Sequence, residues 1–394
     1  MPATPNADRS PLSIFLIFLR LGLTSFGGPV AHLGYFRQEF ISRRGWLSEA
    51  AYAELIAIAQ FMPGAASSKV GMAIGLSQAG YRGALAAWLG FTLPSAVLLM
   101  AFALGLAGQG DGLASGALHG LKIVAVAIVA QAVWGMARSL CPDMPRRLLM
   151  LLVAVVALLV PGAAGQLAVI VGAALVGVAL LDTKAQTLAD PLPIAISRRA
   201  GALWLALFGV LLVGLPLLAH VADNPLLSLF EVFYRTGALV FGGGHVMLPL
   251  LQAEVVPNGW LGNDLFLAGY GATQAMPGPL FTFAAFLGTA IAGVVGGLLC
   301  LLAIFAPSFL LLVGVLPFWA GLRTRPRLQA ALAGVNAGVV GLLLATLYQP
   351  VGTSAVGSVL DFALVLLALV TLMVGKLPPW LVVMAGALVG LLVL

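Results

Sequence analysis

Two short polar stretches constrain this chain more than anything else in it. They are Gln60-Phe61-Met62-Pro63-Gly64-Ala65-Ala66-Ser67-Ser68-Lys69-Val70-Gly71 and Gln274-Ala275-Met276-Pro277-Gly278-Pro279-Leu280-Phe281-Thr282. Each puts proline and glycine, which stop helices, inside sequence that is otherwise apolar. The whole chain of 394 residues is 61% hydrophobic and 8% charged, too few charges to solubilise a globular domain of this size. The reading is an all-α polytopic membrane protein. In lipid, a helix break leaves backbone N–H and C=O groups unpaired. That is tolerated only where the break is buried in protein or lines a polar cavity. Matching breaks in two halves of a chain point to a transporter's binding site.

Other bounds are looser. Glycine is abundant (48 residues), as close helix packing in lipid demands. Cys141 and Cys300 lie far apart and suggest neither a disulfide framework nor a metal motif. The opening residues, 1–11, are polar and lack a cleavage site behind a short apolar core, so no cleavable signal peptide is expected. The longest polar stretch, Asp182–Arg199, reads as a linker between two units, 1–199 and 200–394.

Those units repeat one another. Phe233-Tyr234-Arg235-Thr236-Gly237 answers Phe18-Leu19-Arg20-Leu21-Gly22, and Phe241-Gly242-Gly243 answers Phe26-Gly27-Gly28. Glu254 answers Glu39, Trp260-Leu261 answers Trp46-Leu47, and Pro307-Ser308 answers Pro94-Ser95. The basic loops show that the repeats are inverted. Phe36–Glu49 carries three arginines and its counterpart Leu250–Asp264 none. Gly108–Gly112 carries none and Leu322–Arg327 three. Arg138–Arg147 carries three and Gln349–Ser354 none. Of the 19 Lys/Arg residues only Arg20, Lys69, Lys122 and Arg235 fall inside apolar segments; the rest take the cytoplasmic side. The net charge of +6 therefore records orientation, and nucleic acid is not expected as a partner.

Apolar spans are expected at Gly83–Leu106, Ser115–Ala137, Leu148–Val160, Gln166–Leu181 and Gly201–Leu217. Five spans between the repeats satisfy inversion if Leu12–Tyr35 and Ala50–Gly80 are re-entrant hairpins. Their breaks would fall at Gly27-Gly28-Pro29 and Met62-Pro63-Gly64, repeated at Gly242-Gly243-Gly244 and Met276-Pro277-Gly278-Pro279. Half-helices of ~15 residues each reach ~22 Å, so the four breaks would meet near the midplane.

A helix that restarts after a break presents unpaired N–H groups and the positive end of its dipole. Such a terminus binds anions. Ser67, Ser68 and Thr282 add hydroxyls, and Gln60 and Gln274 add amides. This set suits a small oxyanion; without a carboxylate or histidine cluster it suits a metal poorly. The site expected is Arg20, Gly27, Gly28, Gln60, Pro63, Gly64, Ser67, Ser68, Lys69, Gly242, Gly243, Gln274, Pro277, Gly278 and Thr282. Arg235 has Glu231 four residues earlier and reads as a structural ion pair. Arg20 has Leu16 at that position and no local acid, so it is the substrate candidate. Snorkelling, or a pair with a distant carboxylate such as Glu54, is its competing reading. Lys69 faces either substrate or a headgroup. Lys122 and His119 read as interfacial. His245 follows the glycine triplet as a proton relay or a packed histidine. His32 and His220 receive no role. No nucleophile, zinc, Walker or dinucleotide motif stands in a suitable context, so no enzyme and no cofactor is expected.

Taken together, these residues resemble the chromate transporter family in its long two-domain bacterial form. The resemblance rests on Arg20–Pro29, Gly34–Arg37, Arg43-Arg44-x-Trp46, Phe61–Ser68, Gly90–Ser95, Phe241–His245 and Gln274–Phe283, and it covers nearly the whole chain. The first break departs from it, with Pro-Gly-Ala for the family's Pro-Gly-Pro and Lys69 where glutamine is usual. The resemblance implies chromate export from the cytoplasm across the bacterial inner membrane, driven by the proton-motive force, giving chromate resistance. The N-terminus would be cytoplasmic. Glu54, Glu231 and His245 are the candidates for coupling. The residues alone reach a secondary transporter for a small oxyanion. Sulfate is an isostere that donors separate weakly from chromate. A sulfate importer or exchanger and an uncoupled anion channel therefore stay open, as does a homodimer in the lipid bilayer. The topology predicts that a cysteine at Ser48 is labelled only from the cytoplasm and one at Asn263 only from outside. Impermeant maleimide labelling of cells checks this, and labelling of both from one side would remove the inversion.

Overall fold

The computed structural model describes residues 9–107, 114–182, 194 and 196–393. The expected loop Gly108–Gly112 and most of the linker Asp182–Arg199 lie outside the described residues. In the first half the chain forms α1 (Pro11–Thr24), α2 (Gly28–Arg37), α3 (Glu49–Phe61), α4 (Ala66–Ala107), α5 (Ala114–Leu140), α6 (Met144–Leu159) and α7 (Ala163–Leu180). A connecting helix follows, α8 (Arg198–Ala222). The second half forms α9 (Pro225–Leu239), α10 (Met247–Val255), α11 (Asn263–Thr273), α12 (Phe283–Val315), α13 (Trp319–Leu322), α14 (Pro326–Thr346), α15 (Thr353–Ala355), α16 (Val359–Met373) and α17 (Pro379–Val393).

Local chemistry sets the starts. The side chains of Ser10, Ser48, Asp143, Ser197, Asn224 and Ser358 each accept a first-turn N–H, and proline opens α1, α6, α9 and α14. Caps of this kind satisfy donors that a helix cannot satisfy itself.

The order of α1–α7 recurs as α9–α12, α14, α16 and α17, with α8 between the repeats. Each repeat also contains a reversal. Ala79 and Gly80 leave helical geometry inside α4, and Ala292 and Gly293 do so inside α12. A Cβ on Gly75 would lie 2.2 Å from the carbonyl oxygen of Gly83, and one on Gly288 would lie 2.3 Å from that of Gly296. Residues eight apart on a straight helix are ~12 Å apart. The chain therefore folds back on itself at Gly80 and at Gly293. The segment Ala50–Gly80 ends where the sequence predicts, and a separate span follows it.

Inversion is visible in what meets what. Arg146, on the first turn of α6 in the first repeat, lines one cavity with Arg323 from the second. At the other end of α5, Lys122 pairs with Asp264 at 2.8 Å and His119 with Asp361 at 2.9 Å. Both acids follow loops expected outside. The halves also interlock: α14 packs on α6 and α7, and α5 packs on α16 and α17. α8 stands at the periphery with Leu203, Val210, Val213 and Leu217 exposed, as a lipid-facing helix requires.

The reversal needs bare backbone at Gly83. Gly83→Val is expected to cut the yield of monodisperse protein about tenfold, whereas Gly105→Ala, with open space around it, stays within about twofold. Fluorescence-detected size-exclusion chromatography reads both.

Candidate functional site

The four breaks are residues 25–27, 62–65, 240–243 and 274–279. Their backbone groups are satisfied across the repeats. Gly64 N–H donates to Val240 O at 2.7 Å, and Gly278 N–H donates to Ser25 O at 2.9 Å. Ala65 N–H donates to Ser308 Oγ at 3.0 Å. Gly64 and Gly278 have φ of +106° and +96°, which glycine alone adopts without strain. Each also leans on a serine of the opposite repeat. A Cβ on Gly64 would lie 2.2 Å from Ser308 Oγ, and one on Gly278 would lie 3.0 Å from Ser95 Oγ. Leu280 touches Gly244, which joins the fourth break to the third. The four breaks form one contiguous unit.

The polar side chains of this unit belong mostly to the first repeat. His32 on α2 meets Ser67 Oγ at 3.3 Å and packs edge-on against Phe91 at 5.1 Å. Ser68 follows on α4, and Thr92 and Ser95 lie on the returning limb of α4 beside Gly278. Five buried atoms here have no hydrogen-bond partner among the described residues: Ser25 Oγ, His32 Nε2, Ser68 Oγ, Thr92 Oγ1 and Gln274 Nε2. A buried polar group left unpaired costs about 1–3 kcal/mol. Such a concentration needs a ligand or ordered water to account for it. The positions answering Ser25, His32, Ser67 and Thr92 in the second repeat are Val240, Met247, Phe281 and Phe305, all apolar.

Lys69 lies at the centre of this asymmetry. It is fully buried, and Phe283 answers it in the second repeat. Its Nζ donates to Met62 O at 2.5 Å and Pro63 O at 2.9 Å, so the amino group caps the carbonyl end of α3 across the break. Among the described residues no carboxylate lies within ion-pair distance of it. Its alternative placement, at a lipid headgroup, is thereby removed.

Other expected site residues stand elsewhere. Arg20 is not unpartnered: its guanidinium meets Glu39 at 2.5 Å, and its side chain is 48% exposed in an open pocket with Tyr35 and Arg43. Glu54 is not its partner. That carboxylate is buried against Arg323 and accepts the Trp319 indole N–H at 2.5 Å. Arg235 pairs with Glu231 at 2.5 Å as expected, and also with Glu254 at 2.7 Å. Glu254 answers Glu39, so the long-range pair is the duplicated one. His245 Nδ1 meets Tyr270 Oη at 2.7 Å. Thr282 donates to Pro279 O at 2.7 Å within its own turn. Gln60 faces a cavity on the basic side of the break. Gly27, Gly28, Gly242 and Gly243 all have positive φ, and Pro63 and Pro277 complete the kinks.

Sequence reasoning passed over His32, Ser25, Thr92, Ser95 and Ser308. One signal was present: Pro94-Ser95 and Pro307-Ser308 are duplicated, and both serines sit against the opposite repeat's break. The Ser25 and Thr92 hydroxyls and His32 carry no such mark, because only the fold brings them to the breaks; Ser68 and Gln274 were expected from their place in the breaks themselves.

A family described as chromate transporter matches residues 12–178 and 227–391. A chromate transport protein of Pseudomonas aeruginosa is 29% identical over 353 residues, covering 87% of this chain and 82% of its own. One of Cupriavidus metallidurans is 28% identical over 394 residues, covering 96% and 92%. The uncharacterized transporter YwrA of Bacillus subtilis is 31% identical over 170 residues, which is 42% of this chain and 96% of its own length. No solved structure matches. With two family regions separated by α8 and breaks at matching places in both, the chain belongs to the chromate transporter family.

Proposed function

We propose that this protein exports chromate from the cytoplasm, uses the proton-motive force to do so, and thereby confers chromate resistance. The observation that carries this reading is a buried Lys69, with no carboxylate at ion-pair distance among the described residues, next in sequence to the unpaired Ser68 hydroxyl on the helix that restarts after the first-repeat break. An ammonium has three donors. Met62 and Pro63 take two, and the third is offered to an oxyanion. Ser68 at the start of α4 adds a hydroxyl and the positive end of the helix dipole. The relatives named for chromate transport support chromate as cargo. Sulfate has the same shape and charge, and donors discriminate weakly between isosteres.

The two units, 1–199 and 200–394, each contribute two breaks, and rocking of one element against another exposes the site alternately. The membrane is the bacterial inner membrane, with the basic loops and the N-terminus in the cytoplasm. Glu54, Glu231 and His245 remain the candidates for coupling, each already held by a partner that a moving proton would have to loosen.

In everted vesicles, chromate uptake is expected to run uphill, to collapse with an uncoupler and to be inhibited by excess sulfate. Uptake that only equilibrates and ignores the uncoupler would make the protein a channel or exchanger.

The asymmetry of the site gives a second test. Ser68→Ala is expected to raise KM about tenfold, while Thr282→Ala, whose hydroxyl is already committed, stays within about twofold. Lys69→Met should abolish uptake, and Lys69→Gln should retain it with a raised KM. Initial rates at matched membrane abundance decide both; equal effects at Ser68 and Thr282 would remove the one-sided site.

A further inference from the structure

A polar cavity of about 310 Å³ opens beside the first-repeat break on the side of the basic loops. Gln60, Ser139, Arg146, Arg323, Gln329 and Asn336 supply its polar lining. The two arginines come from different repeats, Arg146 from the start of α6 and Arg323 from just after α13. Two carboxylates face them. Asp143 stands 3.4 Å from Arg146 and is half exposed, and it also caps α6. Glu54 is buried on Arg323. Arg146 Nε makes no hydrogen bond among the described residues.

The floor of the cavity is aromatic. Phe61, the last residue of α3 before the break, meets Trp319 edge-on at 5.0 Å. Glu54 accepts the Trp319 indole N–H and the Arg323 guanidinium on the same oxygen, Oε1. It therefore fixes the aromatic floor and occupies one of the two cavity arginines at once. Beyond Phe61 lie Met62 and Pro63, whose carbonyls hold the Lys69 amino group.

We propose that this cavity is the receiving site for a tetrahedral oxyanion dianion, and that Glu54 is a latch the oxyanion displaces from Arg323. This rests on the transport reading above and adds its entry step. An anion between Arg146 and Arg323 makes charge-assisted bonds to both. It competes with Glu54 for Arg323. Once Glu54 lets go, the Trp319 indole loses its acceptor, and the Phe61–Trp319 contact is free to part toward Lys69.

Everted vesicles present this cavity to the medium, so chromate meets it first. Arg146→Gln is expected to raise KM about tenfold with kcat within about twofold, and Arg146→Lys to recover most of the affinity. Glu54→Gln, which leaves Arg323 without its carboxylate, is expected to lower KM about threefold or more. KM values for Arg146→Gln and Glu54→Gln both within about twofold of the parent would overturn the latch while leaving transport standing. A parent protein inert to chromate and sulfate would instead overturn the transport reading. Equilibrium sulfate binding to detergent-purified protein then decides the cavity: weakening by Arg146→Gln supports it, and binding indifferent to that change overturns it.

Discussion

Everything in this molecule depends on how its broken backbone is satisfied. Gly64 N–H reaches Val240 O, and Gly278 N–H reaches Ser25 O. Each bond joins the second break of one repeat to the first break of the other. In hydrocarbon these groups would have no alternative partner. Neither repeat can complete its breaks alone, so the interlocking of α5 with α16 and α17, and of α14 with α6 and α7, follows from the same need. Glycine is required at 64 and 278 because the turn needs positive φ and because a serine of the other repeat occupies the space a Cβ would fill.

On this nearly symmetric scaffold the chemistry is one-sided. The first repeat places Ser25, His32, Ser67, Ser68, Lys69 and Thr92 around the joined breaks, and the second repeat answers most of them with apolar residues. The two-fold scaffold joins the breaks in two related pairs, while the unpaired polar groups gather mostly on the first repeat. The buried Lys69 amino group donates to two carbonyls at the end of α3 that the helix leaves unpaired in any case.

The arginines show where local reasoning stops. Arg235 was legible because Glu231 lies one helical turn away. Arg20 read as unpartnered because Leu16 occupies that position. Both arginines, however, also reach a carboxylate 19 residues on, Glu39 and Glu254, which face each other in the sequence repeat. A pair across two helices has no periodicity to reveal it. The duplication of the acid was its only trace.

The sequence by itself determined the membrane class, the duplication, the inversion and the places where helices break, because hydropathy, Pro/Gly placement and the Lys/Arg balance are local quantities written along the chain. It also marked the duplicated Pro-Ser pairs without saying what they touch. Tertiary structure alone decided which breaks join, which hydroxyls are left without partners, that Lys69 turns inward onto Met62 and Pro63, and that Glu54 holds Arg323 rather than Arg20. Those outcomes depend on contacts between residues hundreds of positions apart. Burial converts such contacts from indifferent to decisive, because an unpaired polar group in a dry interior must find a partner or a ligand.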